Sequence, residues 1–220
     1  MTRVAIIGAH GKVAQQLMRV LYDLGDDFVG VVRNDEHADD VYRLGGEGVL
    51  VDLERSGPEA LASAIAGCDA IVFTAGAGAG SGIERKRTVD YGGSITSQEA
   101  ARQAGVRRFV QVSAWGADAP VDDSDPVWKA YVEAKRDADT ALRDSGLDWT
   151  ILRPGGLTTD EGTGLITLGD SVPRGSIARE DVARLIALAL HEQATIGHQW
   201  EVIGGDTPIE DAVRSLVASA

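Results

Sequence analysis

Tyr131 and Lys135 stand four residues apart in the segment YVEAK, a spacing that stacks them on one face of a helix. A phenol and an ammonium so placed can work together. A free phenol ionises near ~10, and a nearby cation favours the phenolate and moves the group toward the range useful for proton exchange. The same spacing also fits a core tyrosine beside a solvated lysine. Ser113 lies 18 residues before Tyr131, in RRFVQVSAW, where a strand edge would present its hydroxyl.

A second group of residues suits phosphate. VAIIGAHGKVA carries Gly8, Gly11 and Ala14 in the spacing G-x-x-G-x-x-A, after a strand-like run and before a helix-like one. Gly8 permits a sharp turn, Gly11 lets the backbone approach a pyrophosphate, and Ala14 keeps the helix close to the sheet. The helix start then turns amide N–H groups and the positive end of its dipole on the phosphates. His10, Lys12 and Val13 share this loop and helix start and are assigned to the same cofactor-binding set. A dinucleotide is the expected ligand. Arg33 closes the second strand, where an acidic residue often takes the ribose 2′-hydroxyl. A guanidinium there can pair with a 2′-phosphate, so NADP(H) is expected over NAD(H). The other reading of Arg33 is a surface pair with Asp35 or Glu36. Asp52 and Leu53, past the third strand, are placed beside the adenine, and Thr74, Ala75 and Gly76, past the fourth, beneath the ribose.

Alternating elements must hold these groups. Strand-like runs at 3–8, 27–33, 48–53, 69–76, 107–115 and 147–155 alternate with helical stretches at 11–25, 35–44, 58–66, 94–105 and from Asp125 to Gly146. The strand runs are apolar without alternation, which fits burial on both faces of a parallel sheet built from right-handed βαβ units. The fold class is therefore α/β, a doubly wound parallel sheet of Rossmann type, as one domain over 1–220. In the opening helix of interest, Asp125 is the expected N-cap and Val127, Tyr131, Ala134, Ala138 and Leu142 the apolar stripe. Residues from about 155 onward read as a small lid on the substrate side. The Gly/Ala-rich GAGAGSG, 76–82, follows a strand end, where such sheets place ligand loops.

The 220 residues carry a net charge of -13, which argues against nucleic acid. The densest acidic runs, Asp23/Asp26/Asp27, Asp35 to Asp40 and Asp122 to Asp125, read as solvated loops and helix ends. The one cysteine, Cys68, precedes an apolar run and reads as a buried structural thiol. The four histidines show no metal-ligand spacing, and no metal is expected. With neither a signal peptide nor a spanning segment, the expectation is a cytoplasmic protein without membrane contact, monomeric or homodimeric, whose partner is a small molecule.

Taken together, GAHGKVA, VVR, VDL, FTAGAG, VDYGGSI, AGVRRFVQVSAWGAD, YVEAK, LRDSGLDWTILRPGGLT and IAREDVA resemble the short-chain dehydrogenase/reductase superfamily. The chain is most similar to its atypical, NmrA-like NAD(P)H-binding branch, which includes biliverdin and flavin reductases, and the likeness covers nearly the whole length. The resemblance implies Tyr131 as proton donor, Lys135 as the lysine that binds the nicotinamide ribose and lowers the tyrosine pKa, and Ser113 as the hydroxyl that orients the substrate oxygen. RPGGL matches the loop that crosses beside the nicotinamide in relatives, so Pro154, Gly155 and Leu157 join the cofactor set. Trp115 and Leu157 either line the substrate pocket or simply pack. Two positions stand apart. Asp90 occupies the place where many relatives carry asparagine. Lys86, in ERKR, either reaches a phosphate or acidic substrate or marks a solvated helix start. The implied activity is NADP(H)-dependent hydride transfer to a small carbonyl, quinone or flavin-like acceptor. An NADPH-binding redox sensor is the alternative. Nucleotide-sugar epimerisation is disfavoured by the short C-terminal part.

Overall fold

Short runs of Val, Ile and Phe fill the middle of the sheet, and the polar ends of the strands carry the loops that matter. The computed structural model describes residues 1–78, 80–121 and 124–218. Ala79 of the Gly/Ala-rich loop and Asp122 and Asp123 of the last acidic run lie outside the described residues. The elements up to the fourth strand are β1 (Arg3–Ile7), α1 (Lys12–Leu24), β2 (Asp27–Val32), α2 (Asp35–Arg43), β3 (Glu47–Leu50), α3 (Pro58–Ala64) and β4 (Ala70–Phe73). A continuous helical stretch follows: α4 (Ile83–Arg85), a π-helical segment (Lys86–Gly92) and α5 (Gly93–Ala104). Then come β5 (Arg108–Val112), α6 (Pro126–Arg143), β6 (Asp148–Pro154), β7 (Gly156–Thr158), β8 (Leu165–Gly169), β9 (Ser176–Ala178), α7 (Arg179–His191), β10 (His198–Gly204), β11 (Thr207–Pro208) and α8 (Ile209–Val217).

The main sheet runs β11-β8-β10-β6-β5-β4-β1-β2-β3. From β3 to β10 all neighbours are parallel; β8 then pairs antiparallel with β10, and β11 antiparallel with β8. The order reverses between β1 and β4, so the loops leaving these two strands face each other across a crevice at the carboxyl edge. In open α/β sheets that crevice is where ligands bind. Leu17, Met18 and Leu21 of α1 meet Val182, Leu185 and Ile186 of α7 in the core on one face. Leu61, Phe73, Ala100, Phe109 and Leu142 form the core on the other. The expected Asp125 cap is present, its carboxylate accepting from the amides of Val127 and Trp128 at 3.1 and 2.9 Å. Cys68 is buried, and that burial pushes its thiol up from the usual range.

Two expectations change. Residues 155–220 do not form a lid as a whole: β8, β10 and β11 continue the main sheet, and only β7 and β9 form a separate two-stranded sheet. Trp200 of β10 is fully buried, which is why the tail belongs to the core. The stripe on α6 is also shifted. Val127 is 40 % exposed because the first turn stands clear of the core, while Lys135 and Asp139 lie on the buried face with Ala134, Ala138 and Leu142.

Candidate active site

The β1–α1 loop is pinned from two sides. The amides of Gly8 and Ala9 both donate to the Val31 carbonyl, at 3.1 and 3.2 Å, and the Gly11 amide donates to the Gly8 carbonyl at 2.9 Å. Gly8 has φ +85, and a Cβ there would stand 2.6 Å from Ala75 Cα. Both the turn and the close approach to Ala75 therefore require glycine. A Cβ on Gly11 would press on the Gly8 carbonyl at 3.1 Å. Gly11 is also the N-cap of α1 and offers no side-chain bond to the first-turn amides. Those amides are left for an anion, which is the arrangement a pyrophosphate fits. Lys12 is exposed in this first turn; Val13 is buried, so only its backbone can face a ligand. Thr74 lies against the loop, its amide and hydroxyl both donating to the Ile7 carbonyl, at 3.0 and 3.1 Å.

At the second strand's end, Arg33 is exposed and, among the described residues, forms no ion pair with Asp35 or Glu36. Beside it the His10 and His37 rings stack 3.4 Å apart and 9° from parallel. Burial first, then the neighbouring His10 and Arg33, hold the His37 imidazolium below its usual range. His37 was not singled out from sequence, because 27 residues separate the two rings and no motif joins them. Asp52 is engaged locally, its Oδ1 accepting from the Glu54 amide at 3.0 Å. Leu53 reaches toward the start of α5, where a Cβ on Gly93 would stand 3.4 Å from its Cδ1.

Tyr131 and Lys135 are brought together with Asp90. Lys135 is buried, and its Nζ donates to the Val112 carbonyl at 3.2 Å and lies 3.4 Å from Asp90 Oδ1. The same Nζ is 6.0 Å from the centre of the Tyr131 ring. Asp90 is 1 % exposed, and its other oxygen accepts from the Ala77 amide at 3.1 Å. A Cβ on Gly76 would stand 3.0 Å from Asp90 Oδ1, so Gly76 lets the loop after β4 close over this carboxylate. Asp90 is thus the counter-ion of a buried lysine and a clamp on the ligand loop, a role asparagine would fill only in part. Burial raises the Tyr131 phenol above the ordinary tyrosine range; Lys135 opposes this, while Asp90 and Asp139 add to it. The expected lowering by Lys135 is outweighed by desolvation.

Ser113 points elsewhere than expected. Its hydroxyl donates to Asp139 Oδ2 at 2.7 Å, in a buried network that also holds Gln111, donating to Asp139 Oδ1 at 2.7 Å, and Arg153, whose Nε donates to Oδ2 at 2.9 Å. Arg153 also binds Asp118 through both terminal nitrogens. Sequence reading passed over Asp139, Arg153 and Asp118. The signal was available in the i, i+4, i+8 spacing of Tyr131, Lys135 and Asp139 on one helical face. Pro154 is buried in β6, its carbonyl accepting from the Trp115 amide at 3.1 Å. Gly155 is glycine for a packing reason: a Cβ there would overlap the Gly175 carbonyl oxygen. Leu157 packs against the core on the α1 and α7 face.

The NAD(P)H-binding family model matches residues 8–193, which span the glycine loop, Tyr131 and Lys135. The chain belongs to the NAD(P)H-binding family. It is 40 % identical over 215 residues to the uncharacterized sugar epimerase YhfK of Bacillus subtilis, covering 97 % of this chain and 100 % of that protein. A solved structure from Bacillus halodurans, provisionally named an NAD-dependent epimerase/dehydratase, superposes with a TM-score of 0.90 at 38 % identity, covering 98 % of this chain and 100 % of that one. ChuY, an anaerobilin reductase from Escherichia coli, superposes with a TM-score of 0.79 at 25 % identity, covering 93 % and 98 %. These likenesses agree with the resemblance to atypical short-chain dehydrogenase/reductases read from the motifs. No helix among the described residues is long and apolar enough to cross a membrane.

Proposed function

We propose that this chain is an NADP(H)-dependent reductase of a small conjugated acceptor, a quinone or a flavin-like ring, or of an activated carbonyl, acting in the cytoplasm as a monomer or homodimer. In this reading the α1 amides and Lys12 hold the pyrophosphate, Arg33 pairs with the 2′-phosphate, and Asp52 and Leu53 flank the adenine. Lys135, fixed by Asp90 and the Val112 carbonyl, has a third N–H for the nicotinamide ribose. Bound NADPH supplies the hydride.

The observation that carries the reading is the placement of Tyr131 beside the buried Lys135–Asp90 pair, with its hydroxyl free of hydrogen-bond partners among the described residues and burial holding the phenol above its usual range. A phenol held above its ordinary range is neutral at physiological pH. It can donate a proton to an oxygen that gains charge as hydride arrives. Epimerisation through a keto sugar begins the other way, with a base that removes a hydroxyl proton, and a protonated phenol is poorly placed for that step. The Ser113 hydroxyl hydrogen is engaged in its bond to Asp139, so toward a substrate its oxygen can only accept, and Tyr131 is left as the hydroxyl donor. A single donor suits acceptors that spread the incoming charge over a conjugated system. The test uses NADPH deuterated at the transferring carbon, with a quinone, a flavin and an aromatic aldehyde as acceptors. Net NADPH loss with deuterium in the reduced product is expected for carbonyl acceptors. Tight NADPH binding with no loss to any acceptor would replace the reductase by the redox sensor. Sugar inversion without net cofactor consumption would replace it by an epimerase.

A further inference from the structure

Lys86 opens the π-helical segment and is only 8 % exposed. Its Nζ donates to the Gly78 carbonyl at 2.9 Å and sits 5.2 Å from the centre of the Tyr131 ring. Among the described residues no carboxylate lies within ion-pair distance of it, although its neighbours in sequence are paired: Arg85 with Glu54 and Arg87 with Asp137. Of the two buried carboxylates that act on Tyr131, Asp90 is engaged by Lys135 and Asp139 by Arg153. Both buried carboxylates that act on Tyr131 are therefore taken, and Lys86 is left without one among the described residues, in a molecule whose net charge is -13. A buried cation without a counter-ion is costly unless a partner arrives. Ammonium groups have three donors, and Gly78 takes one. Irregular π-helical turns of this kind recur at functional sites, where they re-aim a side chain.

The surface next to this charge is apolar and firmly held. Trp128 packs on Tyr131 with ring centres 5.4 Å apart. It also lines a groove of about 180 Å³ with Trp115, Ala119, Val121 and Val132. Arg136 holds one wall through the carbonyls of Ala117 and Ala119, at 2.6 and 2.7 Å. Glu201 ties the other, accepting from the amides of Gly116 and Val172 at 2.9 and 3.0 Å.

We propose that Lys86 is the substrate's anion-binding residue, and that the acceptor is a flat aromatic or conjugated monocarboxylate whose ring lies along Trp128 and whose carboxylate meets the Lys86 ammonium. This deepens the proposed function and rests on its placement of the reacting acceptor beside Tyr131. The two N–H groups that Gly78 leaves on Lys86 match a carboxylate; a phosphate dianion would call for further donors. The ring stacks on tryptophan, and the carboxylate takes the place of water at an ammonium that is already mostly buried.

The test is calorimetric titration of the full chain, saturated with unreactive NADP⁺, with naphthoate, its neutral isostere naphthamide, and naphthyl phosphate. Naphthoate is expected to bind at least about tenfold more tightly than naphthamide, the size of one charge-assisted contact. In Lys86→Met that preference is expected to vanish while the NADP⁺ affinity stays within about twofold; Lys86→Arg should keep part of it. Equal binding of naphthoate and naphthamide by the wild type overturns the proposal without recourse to any variant, and so does failure of both to bind. A preference that survives in Lys86→Met assigns the anion to another group and overturns it too. Tighter binding of the phosphate than of naphthoate overturns the carboxylate. A carboxylate preference in a protein that never consumes NADPH would keep the anion site and sink only the reductase.

Discussion

Tyr131 works protonated if it works at all. Its acid form is present below the folded-state pKa and lost as pH rises through it. Because burial holds that value above the ordinary ~10, kcat for a Tyr131-dependent reduction should be flat through neutral pH and fall only above about 10. A fall between pH 6 and 8, roughly, in a solvent-isotope-checked profile would point to another acid. Arg33 offers a second residue-scale test. Arg33→Ala should weaken NADPH about tenfold and leave NADH nearly unchanged, measured by titration of both cofactors, since one charge-assisted contact contributes about 1.5–3 kcal/mol before solvent screening. Gly8 was readable at this scale because a positive φ and a tight turn leave few residue choices. Gly155 was readable as glycine but not for its reason, because the Gly175 carbonyl that crowds it arrives from 20 residues away.

On the scale of elements, α6 carries more than its apolar stripe announced. A helix face reading Tyr131, Lys135, Asp139 resembles a solvated edge until the partners on β5 and β6 are known. Asp139 gathers Gln111 and Ser113 from β5 and its end, and Arg153 from β6, two stretches of chain that only the sheet brings together. Sequence distance hid this network, whereas the local signals of the same helix, Asp125 and Pro126 at its start, were plain. Removing the carboxylate leaves a buried guanidinium and two polar groups unsatisfied. Asp139→Ala is therefore expected to cost about 3–5 kcal/mol in urea unfolding, and Asp139→Asn clearly less, since it keeps the packing and part of the hydrogen bonding. Equal, small losses in both variants would show that the network contributes little. The π-helical segment was similarly unreadable, because an irregular turn leaves no periodicity to find, and Lys86, between Arg85 and Arg87, read equally as a contact to an anionic ligand and as a solvated helix start.

For the molecule as a whole, a doubly wound parallel sheet followed from the alternation of apolar runs and helices, while the strand order and the crevice between β1 and β4 came with the structure. The C-terminal third did not follow, because β8, β10 and β11 are short strands whose partners are distant, and a lid and a sheet extension look alike in sequence. The difference has a consequence for stability. Trp200→Ala should destabilise the entire nucleotide-binding sheet by about 3–5 kcal/mol, in a single unfolding transition followed by both fluorescence and circular dichroism. Two separated transitions would mean that the tail folds as an appendage. The net charge of -13 acts at this scale as well: it repels an anionic cofactor at long range, so local cations at Arg33 and Lys12 must do the attracting at short range.

The most direct measurement is the rate of NADPH consumption with an aromatic aldehyde and with a quinone, in wild type and in Tyr131→Phe, at equal cofactor saturation. The expected result is turnover of both acceptors by the wild type, with the aldehyde rate falling about a hundredfold or more in Tyr131→Phe and the quinone rate falling far less. Tight NADPH binding by both proteins with no consumption by either would contradict the reductase and leave Tyr131 a packed core residue.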